Sequence, residues 1–152
     1  MPQIKAQTAA LMASPEDTEA QFYEALQSAD LDRLMAVWAD EEEISCVHPG
    51  GPRVVGYGAI RTAFETVFAQ GAVHAHPERV RRLHSGDTAI HQVLERVQVA
   101  GPQGQAQSAW VIATNVYLKT AFGWRMVLHH ASPGSAHEIQ EVMDQPAGTT
   151  LH

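Results

Sequence analysis

The segment from Ser108 to Pro133 constrains the fold most, because it is typical of two β-strands joined by a tight turn at 121–123. Its first arm is rich in Trp, Val, Ile, Thr and Tyr, residue types that favour a pleated, half-buried surface. Alternation along the second arm predicts one shared face for Trp124, Met126, Leu128 and His130. A strand with apolar side chains and an imidazole on one face predicts a sheet that lines a cavity.

Three helices are predicted ahead of this hairpin, and they would cover one face of the sheet. Ser14 followed by Pro15 indicates a helix start, because serine caps a helix and proline suits its first position. Asp30 is predicted to cap a second helix, and Gly71 to end a third that opens at 56–58. Helices followed by successive, mostly antiparallel strands predict an α+β fold.

The chain of 152 residues is a natural length for one domain. We expect a flexible arm over 1–13, the folded domain over 14–133 and a tail over 134–152, with a short helix near 137–143. The start of the chain lacks the basic residues and apolar stretch of a secretory signal, and no apolar run reaches membrane-spanning length. A cytoplasmic protein without a membrane partner is therefore expected.

Charge argues against a nucleic-acid partner. The chain has 17 acidic and 10 basic residues, a net charge of −7 with neutral histidines, whereas phosphate binding needs clustered Lys and Arg. The single cysteine, Cys46, has no partner for an internal disulfide and is read as a small core residue rather than a nucleophile.

Four polar residues inside or at the ends of apolar strands are the candidate site. Burying such groups costs free energy unless they are paired or useful. Glu95 shares a strand face with Ala89, His91, Val93, Val97 and Val99, so it needs a partner such as an imidazole. Asn115 interrupts the apolar string VIATNVY, His48 ends a short strand, and His130 is assigned to the inward face of the last strand. Each also has a plain structural reading, as a solvent-facing carboxylate, a strand-tying amide or a histidine bonded to backbone.

Several strings resemble the NTF2-like superfamily, in particular its SnoaL-like and ketosteroid-isomerase-like branches. They are WADEEEISCVHPGGPRVVGYGAI, LER, ATNVY and GWRMVLHHASP. The resemblance implies a cone-shaped α+β barrel, a deep pocket between helices and sheet, and a homodimer packed sheet to sheet. Tyr23 and Asp40 do not fall in strings that match the isomerase's catalytic positions, so its mechanism is not transferred.

The resulting functional hypothesis is a pocket protein that binds or acts on a small, largely apolar organic molecule. If it is an enzyme, cofactor-free acid/base chemistry is expected, such as isomerisation, dehydration or cyclisation. His130 and Glu95 would then transfer protons, and His48 and Asn115 would orient the substrate. A metal site is not expected, because the His74 and His76 pair lacks an obvious full ligand set. The alternatives are a non-catalytic ligand-binding or dimerising module and a protein-interaction domain.

Overall fold

The computed structural model of the protein describes residues 11–135. The helices are α1 (Pro15–Ser28), α2 (Leu31–Ala36) and α3 (Tyr57–Ala69). The strands are β1 (Ser45–Val47), β2 (Arg53–Val55), β3 (Ala75–Ser85), β4 (Thr88–Ala100), β5 (Ala106–Thr120) and β6 (Gly123–Pro133). The α+β fold expected from the sequence is confirmed, and the predicted helix near 137–143 lies outside the described residues.

Side-chain caps begin the first two helices where the sequence places them. Ser14 Oγ accepts a hydrogen bond from the Asp17 amide at 3.1 Å, and Pro15 occupies the first helical turn. Asp30 Oδ1 accepts from the Arg33 amide at 3.1 Å. A left-handed residue, Ala29 (φ 53°), lies between the two helices and reverses the chain within a few residues.

The six strands form one open sheet in the order β2-β1-β6-β5-β4-β3. All neighbours are antiparallel except β1 and β6, which run parallel. The short strand β2 pairs back on β1. Strand β3 begins at Ala75, and its register with β4 shifts between Glu78 and Arg81. Arg79 lies at that shift with a positive φ of 51°.

A second register shift, in β6, decides which histidine faces the helices. Val116 pairs with Leu128 and Tyr117 pairs with Met126, so Val127 is an extra residue on β6. A bulge of one residue inverts the alternation that follows it. Trp124 and Met126 are therefore buried as predicted, but the buried positions after the bulge are His129 and Ala131. The prediction that His130 faces inward is wrong, because His130 is exposed on the other side of the sheet.

The core lies between the helices and the inner face of the sheet. Its largest fully buried side chains include Trp38, Tyr23, Tyr117, Phe22 and Phe64. Met12, next to the end of the predicted arm, is also buried, and its carbonyl accepts a hydrogen bond from the Trp124 amide at 2.8 Å. Within residues 11–135, every helix is too short or too polar to cross a membrane.

Candidate functional site

Four buried side chains from four elements form one hydrogen-bonded series, which we call the buried polar chain. Tyr23 comes from α1, Glu95 from β4, Asn115 from β5 and His129 from β6. The Tyr23 hydroxyl lies 2.7 Å from Glu95 Oε2, Asn115 Nδ2 lies 3.0 Å from Tyr23 Oη, and His129 Nδ1 lies 2.6 Å from Asn115 Oδ1. The chain therefore connects a helix to three adjacent strands through the centre of the core.

Strand geometry brings these groups together. Asn115 on β5 lies opposite His129 on β6, and it also lies opposite His91 on β4. Glu95 is four residues beyond His91, so both point to the same face of β4. Tyr23 reaches this face from above because α1 packs on the sheet, and Phe22 beside it contacts the His129 ring at a centroid distance of 5.1 Å.

Glu95 is the group whose acidity is most useful for chemistry. Burial raises the pKa of its carboxyl from 4.5 to about 7, because a carboxylate loses its hydration inside the core. The hydrogen bond from Tyr23 opposes this rise in pKa by stabilising the charged form. At neutral pH the carboxyl is thus divided between its acid and base forms, which is the condition for efficient proton transfer.

The two histidines near the chain are held in the neutral form. Burial lowers the pKa of His129 to about 3, and the nearby His48 and His130 add to this effect. Burial also lowers the pKa of His48, which is half-buried. The rings of His48 and His129 lie 6.3 Å apart, and His48 meets Phe64 edge to face at 4.9 Å. Neutral imidazoles act as hydrogen-bond donors and acceptors rather than as cations.

Cys46 lies at the same end of the core but is inert as a nucleophile. It is fully buried, and burial raises the pKa of its thiol to about 12, with the nearby Glu95 adding to the rise. Its Sγ lies 3.9 Å from His48 Nε2. A thiol with this pKa stays protonated at neutral pH, so a core role fits it better than catalysis.

A second buried pair lies further along the same helix face. Glu19 of α1 contacts His91 Nδ1 of β4 through a short hydrogen bond, and both side chains are buried. The His91 ring meets Tyr117 at 5.1 Å. Among the described residues, the Tyr117 hydroxyl has no hydrogen-bond partner, and burial raises its pKa well above the ordinary value. The core therefore holds two buried polar groups, the buried polar chain and the Glu19–His91 pair.

The structure brings three of the four sequence-predicted residues to one region. Glu95 and Asn115 belong to the buried polar chain, and His48 lies beside His129. His130 lies on the opposite face, near Gln92, Ile112, Thr114, Leu128 and Ser132. The hypothesis that His130 pairs with Glu95 is thus wrong, because the Glu95 partner is the Tyr23 hydroxyl.

Sequence reasoning missed the contributions of Tyr23, Glu19 and His129. Glu19 and Tyr23 are spaced i, i+4 on α1, so they share a helix face with the apolar Leu26. Polar groups on a buried helix face are a detectable signal. His129 was not detectable in this way, because its orientation depends on the bulge at Val127.

In the part of the chain that is described, no three His, Cys, Asp or Glu side chains are grouped to hold a metal ion. His76 instead lies near the Gln27 amide, at 3.4 Å from Nδ1 to Nε2. Among the described residues, most buried polar side chains are paired with one another, and the Tyr117 hydroxyl and Trp38 Nε1 are the exceptions.

A helix layer over an open, mostly antiparallel sheet, with titratable groups buried between them, defines a class of α+β domains with many functions. Residues 16–136 match the SnoaL-like domain family, and the chain belongs to that family. The resemblance to NTF2-like proteins is therefore confirmed, and solved structures described as NTF2-like or cystatin-like share the fold. A comparison with curated protein sequences found no match.

Two solved structures combine a close fold with substantial sequence identity. One, from Thiobacillus denitrificans, is provisionally described as a calcium/calmodulin-dependent protein kinase type II association domain. It is 35% identical over 82% of this chain and 98% of its own, with a TM-score of 0.74. The other, from Streptomyces avermitilis, is provisionally described as a dehydratase of the NTF2-like family. It is 28% identical over 90% of this chain and 100% of its own, with a TM-score of 0.71.

Proposed function

We propose that the protein binds a small, largely apolar organic molecule between its helices and sheet, and that it transfers protons on this molecule without a cofactor. One observation carries the proposal: a carboxyl group in the apolar core, Glu95, has its pKa raised by burial to about 7 and is held by a tyrosine hydroxyl. Perturbed carboxyl groups of this kind mark sites of acid/base chemistry. Cytoplasmic location remains the expectation from the sequence.

Glu95 is assigned the central role in the reaction. Its carboxylate takes a proton from a carbon next to a carbonyl, and in a dehydration this is the carbon between the carbonyl and the hydroxyl-bearing carbon. The resulting carboxylic acid returns the proton at another position, which gives isomerisation, or to a departing hydroxyl, which gives dehydration. Atoms and charge balance within the substrate and one carboxyl group, so no cofactor is needed.

Tyr23 and Asn115 are assigned positioning roles. The Tyr23 hydroxyl donates to Glu95 Oε2 and accepts from Asn115, so the other carboxylate oxygen, Oε1, has no hydrogen-bond partner within residues 11–135. That oxygen is the one available to a substrate. The aromatic rings of Phe22 and Phe64, 6.4 Å apart, supply apolar surface on the helix side.

Deuterium exchange of small ketones tests the proposal without knowledge of the natural substrate. We would follow loss of the C–H signals of 2-tetralone and of cyclohex-2-enone in D₂O by NMR, with wild-type protein and the Glu95→Gln variant. General acid/base catalysis is typically worth 10²- to 10⁴-fold, so we expect the variant to be slower by about 100-fold or more. Glu78→Gln is the matched control, because Glu78 is a half-exposed carboxylate that pairs with Arg96 across β3 and β4 at 2.8 Å.

Equal exchange rates for wild-type protein and Glu95→Gln would contradict the assignment of Glu95. A rate no higher than that of an equal concentration of acetate would argue against proton transfer on this class of ketone. Loss of activity in both the Glu95 and Glu78 variants would indicate a folding defect, and circular dichroism of each variant would reveal it.

A second candidate function is assembly through the outer face of the sheet. The observation that favours it is the 35% identity to a structure whose description is an association domain. In this chain the outer face presents half-buried Ile112 and Leu128 beside polar Gln92, Thr114 and His130. We propose that two copies pack through this face, which would give a homodimer.

Light scattering tests the assembly directly. The chain has a mass of 16.6 kDa, so a homodimer is expected at twice that mass. Leu128→Lys would place a charge in the interface, and we expect it to shift the protein to the monomer. Lys substitution at exposed Leu11, which precedes α1 and lies outside this face, is the matched control. A wild-type monomer at micromolar concentration would contradict the assembly.

A further inference from the structure

We propose that His129 carries its proton on Nδ1 and presents an unprotonated Nε2 to the ligand, so that the site selects a molecule with a hydroxyl group. This inference rests on the proposed function and adds the polar group that the ligand must carry. It follows from the direction of the hydrogen bonds in the buried polar chain, taken one bond at a time.

In the first two hydrogen bonds, the chemistry of the groups determines which one donates and which one accepts. The Tyr23 hydroxyl donates its single proton to Glu95 Oε2, which accepts in the carboxylate and also in the acid when the carboxyl proton is on the unpaired Oε1. With its proton used, Tyr23 Oη accepts from the nitrogen of the Asn115 amide, 3.0 Å away. The Asn115 amide is therefore oriented with Nδ2 towards Tyr23 and Oδ1 towards His129.

The third bond then fixes the histidine tautomer. An amide oxygen only accepts, so His129 Nδ1, which lies 2.6 Å from Asn115 Oδ1, must carry a hydrogen. The ring is neutral because it is buried among Phe22, His48 and the strand backbone. A neutral imidazole has one N–H, and it is on Nδ1, which leaves Nε2 with a lone pair.

The two ends of the buried polar chain differ from its middle in accessibility. Glu95 and His129 are 6% and 4% exposed, whereas Asn115 between them is 0% exposed. Within the described residues, His129 Nε2 has no hydrogen-bond partner. Half-buried His48 lies beside the His129 ring, with 6.3 Å between the ring centroids. The free acceptor thus lies where a ligand would approach.

An unprotonated nitrogen in an apolar setting restricts the ligand. A hydroxyl group donates to it, whereas an ether or ketone oxygen would oppose one lone pair with another. Sites built to hydrogen-bond a substrate hydroxyl discriminate strongly against the analogue that lacks it. The aromatic edges of Phe22 and Phe64 favour an apolar, ring-sized body on the same molecule. The class expected is therefore a small apolar hydroxy ketone, whose hydroxyl meets His129 and whose carbonyl-activated carbon lies near Glu95.

The tautomer can be measured on the ligand-free protein. Nitrogen-15 correlation spectra of histidine-labelled protein distinguish Nδ1–H from Nε2–H rings. We expect a neutral Nδ1–H histidine signal that disappears in His129→Phe and persists in His130→Gln, which removes the exposed neighbour. The His91 ring, whose Nδ1 contacts Glu19, gives a separate signal that both variants keep. Substitution of Asn115 by Leu should remove the acceptor and shift the ring to the other tautomer. A wild-type His129 with its proton on Nε2 would overturn the proposal, whatever the protein is found to bind.

The ligand preference is tested with a matched pair of probes, 2-indanol and 2-methoxyindane. Titration into labelled protein should show at least 10-fold tighter binding of the alcohol and a shift of the His129 Nε2 signal. His129→Phe should reduce the difference between the probes to less than 2-fold. Equal binding of both probes by the wild-type protein would refute the hydroxyl selection. Binding of neither would count against the proposed pocket and the hydroxyl selection together, while leaving a confirmed tautomer in place.

Discussion

Replacement of Glu95 by Gln should change how the stability of the protein depends on pH. Gln has nearly the shape of Glu, and its carbonyl can accept the Tyr23 hydrogen bond, but it does not ionise. The folded protein holds the Glu95 proton more tightly than the unfolded chain, because burial raises the pKa from 4.5 to about 7. The stability gained from this proton is complete below pH 4.5 and is lost as the pH rises to about 7.

The size of the effect follows from the two pKa values. Ionisation near 4.5 in the unfolded chain and near 7 in the folded protein corresponds to about 3 kcal/mol of stability. Most of this, roughly 2 kcal/mol, would be lost between pH 5 and pH 8. The free energy of unfolding of the Gln variant lacks this pH-dependent contribution, because its amide does not ionise. Any other effect of the amide on stability is the same at each pH. We therefore expect the free energies of unfolding of the two proteins to converge, or to change order, as the pH rises.

Urea unfolding at half-unit steps from pH 5 to pH 8 measures this difference. The quantity of interest is the wild-type free energy of unfolding minus that of Glu95→Gln, because other titrating groups cancel. Glu65→Gln on α3 is the control, since the Glu65 side chain is 55% exposed and its variant should follow the wild type. A constant difference between wild type and Glu95→Gln over this range would refute the assignment of a raised pKa to Glu95.

Four other variants or treatments have equally definite outcomes. Tyr23→Phe leaves Glu95 Oε2 and Asn115 Nδ2 without a hydrogen-bond partner; it should cost about 1–3 kcal/mol in urea unfolding and raise the pKa of Glu95 further. In the wild type, the unfolded chain gains a proton at His129 below pH 6.5, but the folded protein does so only near pH 3, so acidification lowers the free energy of unfolding. His129→Phe removes this group and should therefore lose less stability than the wild type between pH 6.5 and 3. Cys46 should react with a thiol reagent at pH 8 only after unfolding, and fast labelling of the native protein would contradict its burial and raised pKa. Ser14→Ala should lower the free energy of unfolding by about 1 kcal/mol, and Ser14→Asp should retain it, because only the latter keeps the cap to the Asp17 amide.

The helices and most strands could be predicted because local chemistry determines where they begin and end. Ser14, Pro15 and Asp30 begin helices through their own side chains or ring, independently of the rest of the fold. The shared face of Ala89, His91 and Glu95 on β4 also followed from simple alternation, because β4 and β5 pair in one unbroken register, but alternation alone left open whether that face is buried.

The orientation of the side chains in the second half of β6 could not be predicted, because the bulge depends on how β6 pairs with β5. Up to Met126 the alternation is correct, and beyond Val127 it is inverted. The pairing of Val116 with Leu128 and Tyr117 with Met126 has no counterpart in the sequence of β6 alone. One extra residue therefore exchanged His130 for His129 in the site, although the two are adjacent in the chain.

Local sequence patterns also could not predict which residue forms the hydrogen bond with Glu95. Tyr23 and Glu95 are 72 residues apart in sequence and meet only because α1 packs across β4. The need for a partner was predictable from the burial of a carboxylate, but its identity depended on tertiary packing. An imidazole was expected, and a tyrosine hydroxyl supplies the hydrogen bond instead.

The central claim is that Glu95 is a buried carboxyl group that changes its protonation state near neutral pH. Its carboxyl carbon can be followed directly by carbon-13 NMR in glutamate-labelled protein, with Glu95→Gln to assign the signal. We expect a titration midpoint near 7 and a higher midpoint in Tyr23→Phe. A midpoint near the ordinary glutamate value of about 4.3 would contradict the account.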